Sequence, residues 1–247
     1  MGYHLATATL GPLLLLQGRH VRRVTPRLAE AAGPRDGTAG DGPPLRLLIA
    51  GDSAAAGVGV PVQGRALSGQ LVAALAATHR VSWRLIARTG WTTRDLLVQI
   101  EAEPAARFDV AVTSLGVNET SGGVPPARWL RDQAALVAAL SQRFGIAHVL
   151  LSAVPPMGRF PALPQPLRFY LGMRARRLDT ALAHWAASRD DCEHLPIAFP
   201  LEPGMAAPDG FHPSETACAL WAAQVAAAIR RRFADTTRAP ASEAGSD

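Results

Sequence analysis

Leu45-Arg46-Leu47-Leu48-Ile49-Ala50-Gly51-Asp52-Ser53 decides the fold. Residues 45–50 form a short apolar run of the length and composition of a buried strand. Gly51 and Asp52 then turn the chain sharply and leave Ser53 at the strand's C-terminal edge. A serine so placed can act as a nucleophile, with the N–H groups opening a following helix available to stabilise negative charge.

Working outward, the pattern repeats. Apolar strand-like runs at 45–50, 81–87, 108–115 and 146–154, with a short fifth at 193–199, alternate with helical stretches at 67–78, 93–101, 126–144, 167–188 and 214–233. Such alternation predicts a parallel sheet of about five strands with helices on both faces, joined by right-handed crossovers. Ligands of these sheets sit beyond the C-terminal strand ends. Ser53, Gly90 and Asn118, each following one of the first three strands, converge on that rim.

Far along the chain, Asp209-Gly210-Phe211-His212 supplies a carboxylate and an imidazole three residues apart. A serine hydroxyl is a poor nucleophile until a base takes its proton, and His212 is the candidate base. Asp209 would orient the ring through Nδ1 and stabilise the imidazolium. Gly90 and Asn118 are candidate donors to a tetrahedral oxyanion, beside the Ser53 N–H. A Gly-Asp-Ser triplet alone arises by chance in about one chain in twenty of this size at ordinary residue usage. The order of the four blocks and their positions after strands carry the reading instead. No Gly-x-Ser-x-Gly elbow occurs, which disfavours the α/β-hydrolase version of the relay.

These blocks resemble the SGNH hydrolases, the GDSL esterase/lipase superfamily, over roughly residues 45–233. The resemblance implies a flavodoxin-like three-layer α/β/α fold and hydrolysis of carboxylic esters or thioesters. It matches Ser53 to the nucleophile, His212 to the general base, Asp209 to its partner, and Gly90 and Asn118 to the oxyanion donors. The family's third block commonly reads Gly-x-Asn-Asp, whereas Glu119 follows Asn118 here and carries its carboxyl one methylene further. The expected activity is a serine esterase acting on short to medium acyl chains. Thioesterase, lysophospholipase and carbohydrate O-acetylesterase are the alternatives within the class. A non-catalytic binding module or a membrane-surface protein is the alternative outside it.

For the substrate pocket, Trp91, directly after Gly90, is a candidate wall and equally a candidate for plain packing. Residues 155–166 form a proline-rich loop bearing Met157 and Phe160, which either shapes the pocket or covers it statically. Asp52 is expected to cap a helix or brace the turn rather than take part in chemistry. Ser214 is expected to cap the last helix. His148 lies within an apolar strand, and His184 and His194 lack partners at metal-ligand spacing, so none is assigned chemistry. A serine esterase needs no metal and no organic cofactor, and none is expected.

At 247 residues the chain fits one α/β domain. We divide it into an N-terminal arm and linker at 1–43 (the linker being 31–44, rich in Gly, Pro and Asp), a hydrolase domain at 44–233, and a polar, disordered tail at 234–247. The 25 basic residues are all arginine, with a formal net charge of +5. The clusters Arg174/Arg176/Arg177 and Arg230/Arg231/Arg232 are not interleaved with aromatics, so no nucleic-acid partner is expected. The partner is a small-molecule ester; the oligomeric state is left open.

Cys192 and Cys218, the only cysteines, imply no disulfide framework. The apolar, arginine-flanked N-terminus reads as an arm packed on the domain, with a peripheral membrane foot as the rival. Residues 1–18 hold no lysine or arginine, against a secretory signal. A cytoplasmic or membrane-peripheral location is favoured over a secreted one.

Overall fold

The computed structural model describes residues 2–197, 202 and 204–237. Its core is a sheet built on the run that opens at Leu45. The strands are β1 (Asp36–Ala39), β2 (Pro44–Gly51), β3 (Arg80–Ala87), β4 (Val110–Ser114), β5 (His148–Ser152) and β6 (Cys192–Leu195), in the order β1-β3-β2-β4-β5-β6. β2 to β6 pair in parallel, and β1 adds antiparallel to the outer edge of β3. The five parallel strands follow the flavodoxin-like order, whose direction of winding reverses between β3 and β4, on either side of β2.

Side chains alternate across the sheet as the pleat requires. Leu45, Leu47 and Ile49 of β2 face α2 (Leu67–Ala76) and α7 (Glu215–Thr237), where they meet Leu71, Leu75, Val225 and Ile229. Leu48 and Ala50 face the other way, into a core with α3 (Thr93–Ala102), α5 (Pro126–Phe144) and α6 (Leu167–Ala186). Leu14 and Val21 of α1 (Gly2–Val24) join that second core, and α4 (Val117–Gly122) is a short helix after β4. The result is a three-layer α/β/α architecture.

Three expectations are corrected. The linker contains β1, which pairs Asp36 with Arg84 and Ala39 with Val81. It carries no apolar alternation because it is an exposed edge. The N–H groups opening the next helix do not follow Ser53 directly: residues 53–59 form successive turns, closed by Val58 N–H to Ser53 O at 3.0 Å, and α2 begins at Leu67, the start expected for it. The last helix continues past the expected end at 233 to Thr237, so the tail's first four residues are helical. Residues 238–247 lie outside the described residues, as does Phe199, the expected end of the fifth strand, which is observed at Cys192–Leu195.

Candidate active site

β2 delivers Ser53 to the C-terminal rim at the point where the winding reverses, and the segment before α7 delivers His212 to it. That segment is a tight loop. Ala207 N–H donates to His212 O at 2.8 Å, Ser214 N–H donates to Met205 O at 2.9 Å, and Ser214 Oγ accepts from Ala217 N at 3.3 Å to cap α7. Gly59 lets the two loops meet. Its φ is +92°, and a Cβ there would lie 2.6 Å from Ala207 Cβ.

Within this frame His212 Nε2 lies 2.9 Å from Ser53 Oγ, and His212 Nδ1 lies 2.6 Å from Asp209 Oδ2. Asp209 Oδ1 accepts from Phe211 N at 2.9 Å and His212 N at 3.0 Å. Burial pushes the Asp209 carboxyl up, but the His212 ring and these two N–H groups outweigh it and hold the group below its ordinary range. Asp209 is therefore an ionised acceptor, which fixes a proton on His212 Nδ1 and turns Nε2 as acceptor toward Ser53.

Asp52, adjacent to Ser53 in the chain, is buried. Its Oδ1 accepts from Ala54 N at 3.0 Å, bracing the turn. Burial pushes its carboxyl up to about 7, with the nearby Glu119 charge adding and the Ala54 N–H opposing.

Segment 88–93, which carries Gly90, is held from three sides. Glu30 Oε1 accepts from Thr89 N and Oγ1, both at 2.7 Å, and Asn118 Nδ2 donates to Trp91 O at 2.8 Å. Glu119 Oε1 accepts from Thr93 N and Oγ1, both at 2.6 Å. Thr93 Oγ1 in turn accepts from Trp129 Nε1 at 2.9 Å and Gln133 Nε2 at 3.3 Å. The Glu119 carboxylate thus meets the first N–H of α3, where the helix dipole favours negative charge. Its other oxygen, Oε2, is buried without a hydrogen-bond partner. Neither Glu30 nor this use of Glu119 was predicted from sequence.

Gly90 has φ +85°, and a Cβ there would meet nothing within 4 Å. The left-handed backbone conformation, rather than crowding, calls for glycine at this position.

Ser53, His212 and Phe160 line a cavity of about 350 Å³ whose wall is chiefly apolar, with Leu115, Val117, Ile197, Met205 and Trp221 prominent. Phe160 stacks edge-on to Phe211 at 5.0 Å, and Phe211 to the His212 ring at 5.4 Å. Two pocket candidates lie elsewhere. The Met157 side chain is fully buried in the core, because the short 3-10 turn at Met157–Arg159 packs tightly on α6. Trp91 lines a separate cavity of about 650 Å³, with Arg84, Arg88 and Gln99, because the left-handed turn at Gly90 intervenes between it and the Ser53 rim. The loop 155–166 does border the cavity, through Pro155, Arg159, Phe160 and Pro161. It is tied down by Ala162 N–H to Gly210 O at 3.1 Å and by Arg168, which donates to Leu163 O and Pro161 O. Among the described residues no cluster of His, Cys, Asp and Glu could hold a metal ion.

The model of the GDSL-like lipase/acylhydrolase family matches residues 49–220. The chain belongs to that family. This GDSL hydrolase is an enzyme of the carboxylic ester hydrolase class, and its substrates are small-molecule esters. It is similar to the GDSL-like esterase Rv1075c of Mycobacterium tuberculosis, 30% identical over 269 residues that cover 96% of this chain and 82% of that one. Its fold is shared with a lipolytic G-D-S-L family protein of Veillonella parvula, at TM-score 0.60 and 16% identity over 75% of this chain and 98% of that one. It is also shared with the psychrotrophic esterase EstA of Pseudoalteromonas, at TM-score 0.57 and 18% identity over 76% and 98%.

Proposed function

We propose that this GDSL hydrolase is a serine esterase that cleaves esters of short to medium acyl chains through an acyl-enzyme on Ser53. One observation carries the reading: hydroxyl, imidazole and carboxylate form a continuous relay, with steps of 2.9 Å and 2.6 Å, at the mouth of an apolar cavity.

His212 Nε2 takes the Ser53 proton as Oγ bonds to the ester carbonyl carbon, and the carbonyl oxygen becomes an oxyanion. The N–H groups of Ser53 and Gly90 and the Asn118 amide are the donors assigned to it. Asn118 spends one amide hydrogen on Trp91 O, leaving the second for the oxyanion. Collapse breaks the bond to the alkoxy oxygen, which leaves as an alcohol with the proton from His212. Water, deprotonated by His212, then attacks the acyl carbon, and the carboxylic acid and free Ser53 are released. An apolar wall of leucine, valine, isoleucine and phenylalanine suits an acyl chain better than a sugar.

Hydrolysis of p-nitrophenyl esters of increasing acyl length tests both parts. Ser53→Ala should lower kcat by about 10⁶-fold, as loss of a relay nucleophile does. Full activity in that variant would refute the mechanism. Rates highest on long-chain esters would refute the assigned acyl range.

A further inference from the structure

The first 29 residues contain four arginines, Arg19, Arg22, Arg23 and Arg27, and no aspartate or glutamate. α1 lays one face on the domain. Leu14 and Val21 are buried there and Leu10 packs beside them, while Gln17 donates to Gln165 O at 2.7 Å and accepts from Leu167 N at 3.0 Å. The opposite face divides along the helix axis. Leu13, Leu15 and Leu16 stand 44%, 66% and 62% exposed, and Arg19, Arg22 and Arg23 follow them toward solvent. A helix held by a leucine–valine stripe and a two-bonded glutamine has no packing need for three leucines on its outer face. Apolar residues followed by cations on one exposed face is the arrangement of a helix lying in a membrane interface.

We propose that the outer face of α1 docks on an anionic lipid bilayer, with Leu13, Leu15 and Leu16 entering the acyl boundary and Arg19, Arg22 and Arg23 meeting lipid phosphates. The contact is peripheral, since no helix among the described residues is long and apolar enough to cross a membrane. The attachment ties the inner face of α1 to the end of the loop 155–166. The Gln165–Leu167 backbone that anchors Gln17 ends the loop 155–166, whose Arg159, Phe160 and Pro161 border the Ser53 cavity.

The test is vesicle flotation of the full chain, with phosphatidylcholine vesicles made with or without phosphatidylglycerol. The expected result is binding to the anionic vesicles, weakened at least about tenfold by omitting phosphatidylglycerol or by raising salt to about 0.5 M. Each headgroup-facing arginine contributes about fivefold, so Arg19→Gln/Arg22→Gln/Arg23→Gln should reduce partitioning by roughly 100-fold. Leu15→Ser/Leu16→Ser should reduce it by at least about tenfold. Both variants should hydrolyse p-nitrophenyl acetate in vesicle-free buffer at the wild-type rate, which separates lost docking from lost folding. Failure of the wild type to float, or flotation indifferent to the leucine pair, overturns the proposal. So does a lipid-independent dimer, seen by light scattering, that Leu15→Ser/Leu16→Ser dissolves. Flotation needs no turnover, so its outcome is independent of the role assigned to Ser53.

Discussion

Asp52→Asn should remove a pH-dependent weakness from the fold. Asp52 is buried next to Ser53, and its carboxyl is raised from an ordinary 3.8 to about 7, first by burial and then by the Glu119 charge. Between those values the folded chain holds a proton that the unfolded chain has released. The unfolded state binds fewer protons there, so this group's contribution to stability falls as pH rises from about 4 to about 7 and is flat above. At about 1.4 kcal/mol per pKa unit, the displacement sets a ceiling of about 4 kcal/mol. Even a quarter of that, about 1 kcal/mol, corresponds to about 2–4 °C in Tm for a chain of this size.

Asparagine keeps an oxygen to accept from Ala54 N and carries no charge at any pH. The assay is thermal unfolding of both proteins from about pH 4.5 to about pH 8. The variant-minus-wild-type difference in Tm should grow by at least about 2 °C across that range, in the variant's favour. Subtracting the two curves cancels the other titrating groups. A constant difference, or one growing toward low pH, would refute the reasoning.

Asp209→Asn should lower kcat by about 10⁴-fold with KM little changed, because the amide no longer fixes the His212 tautomer. The wild-type carboxyl has a lowered pKa, so its stabilisation is complete above the ordinary carboxylate range and is lost as pH falls through the depressed value. Acid unfolding of Asp209→Asn should therefore show a shallower loss of stability below about pH 4. Asn118→Ala should leave a folded enzyme with kcat down about 10²–10³-fold in steady-state assays, and unchanged turnover would remove Asn118 from the oxyanion site. Glu119→Gln weakens two charge-assisted bonds to Thr93 and should destabilise the fold by about 1–3 kcal/mol in denaturant titration. Because those bonds brace segment 88–93, kcat should fall more than KM changes. Glu119→Asp, one methylene short of Thr93, should recover less than half of the lost kcat.

The strands at β2, β4 and β5 were legible because each has a central stretch buried on both faces, at 47–50, 110–112 and 149–151, that is wholly apolar. β1 was not. Asp36-Gly37-Thr38-Ala39 lies at an exposed edge, and only its pairing with β3, some 45 residues on, makes it a strand. The placement of Trp91 and Met157 was not legible for a different reason. Proximity in sequence to Gly90 and Phe160 says nothing about side-chain direction, which a left-handed glycine in one case and a 3-10 turn in the other decide.

The contrast between Ser53 and Glu30 shows where the limit lies. Taking a proton from a hydroxyl onto an imidazole that an ionised acceptor orients admits very few residue types, so Ser53, His212 and Asp209, proposed for those roles, announce themselves even at 159 residues' separation. Holding the Gly90 segment asks only for an acceptor within reach of Thr89 N–H. A carboxylate, an amide or a main-chain carbonyl would each serve. Glu30 is that acceptor because β1 extends the sheet and brings residues 30–35 back beside β3, where Arg35 pairs with Glu30 at 3.0 Å. A brace of this kind leaves no compositional trace, because the position is set by long-range topology and the chemistry leaves the residue type nearly free. The parts of an active site that react are therefore readable from residue type, and the parts that hold them still become readable only once the chain is folded.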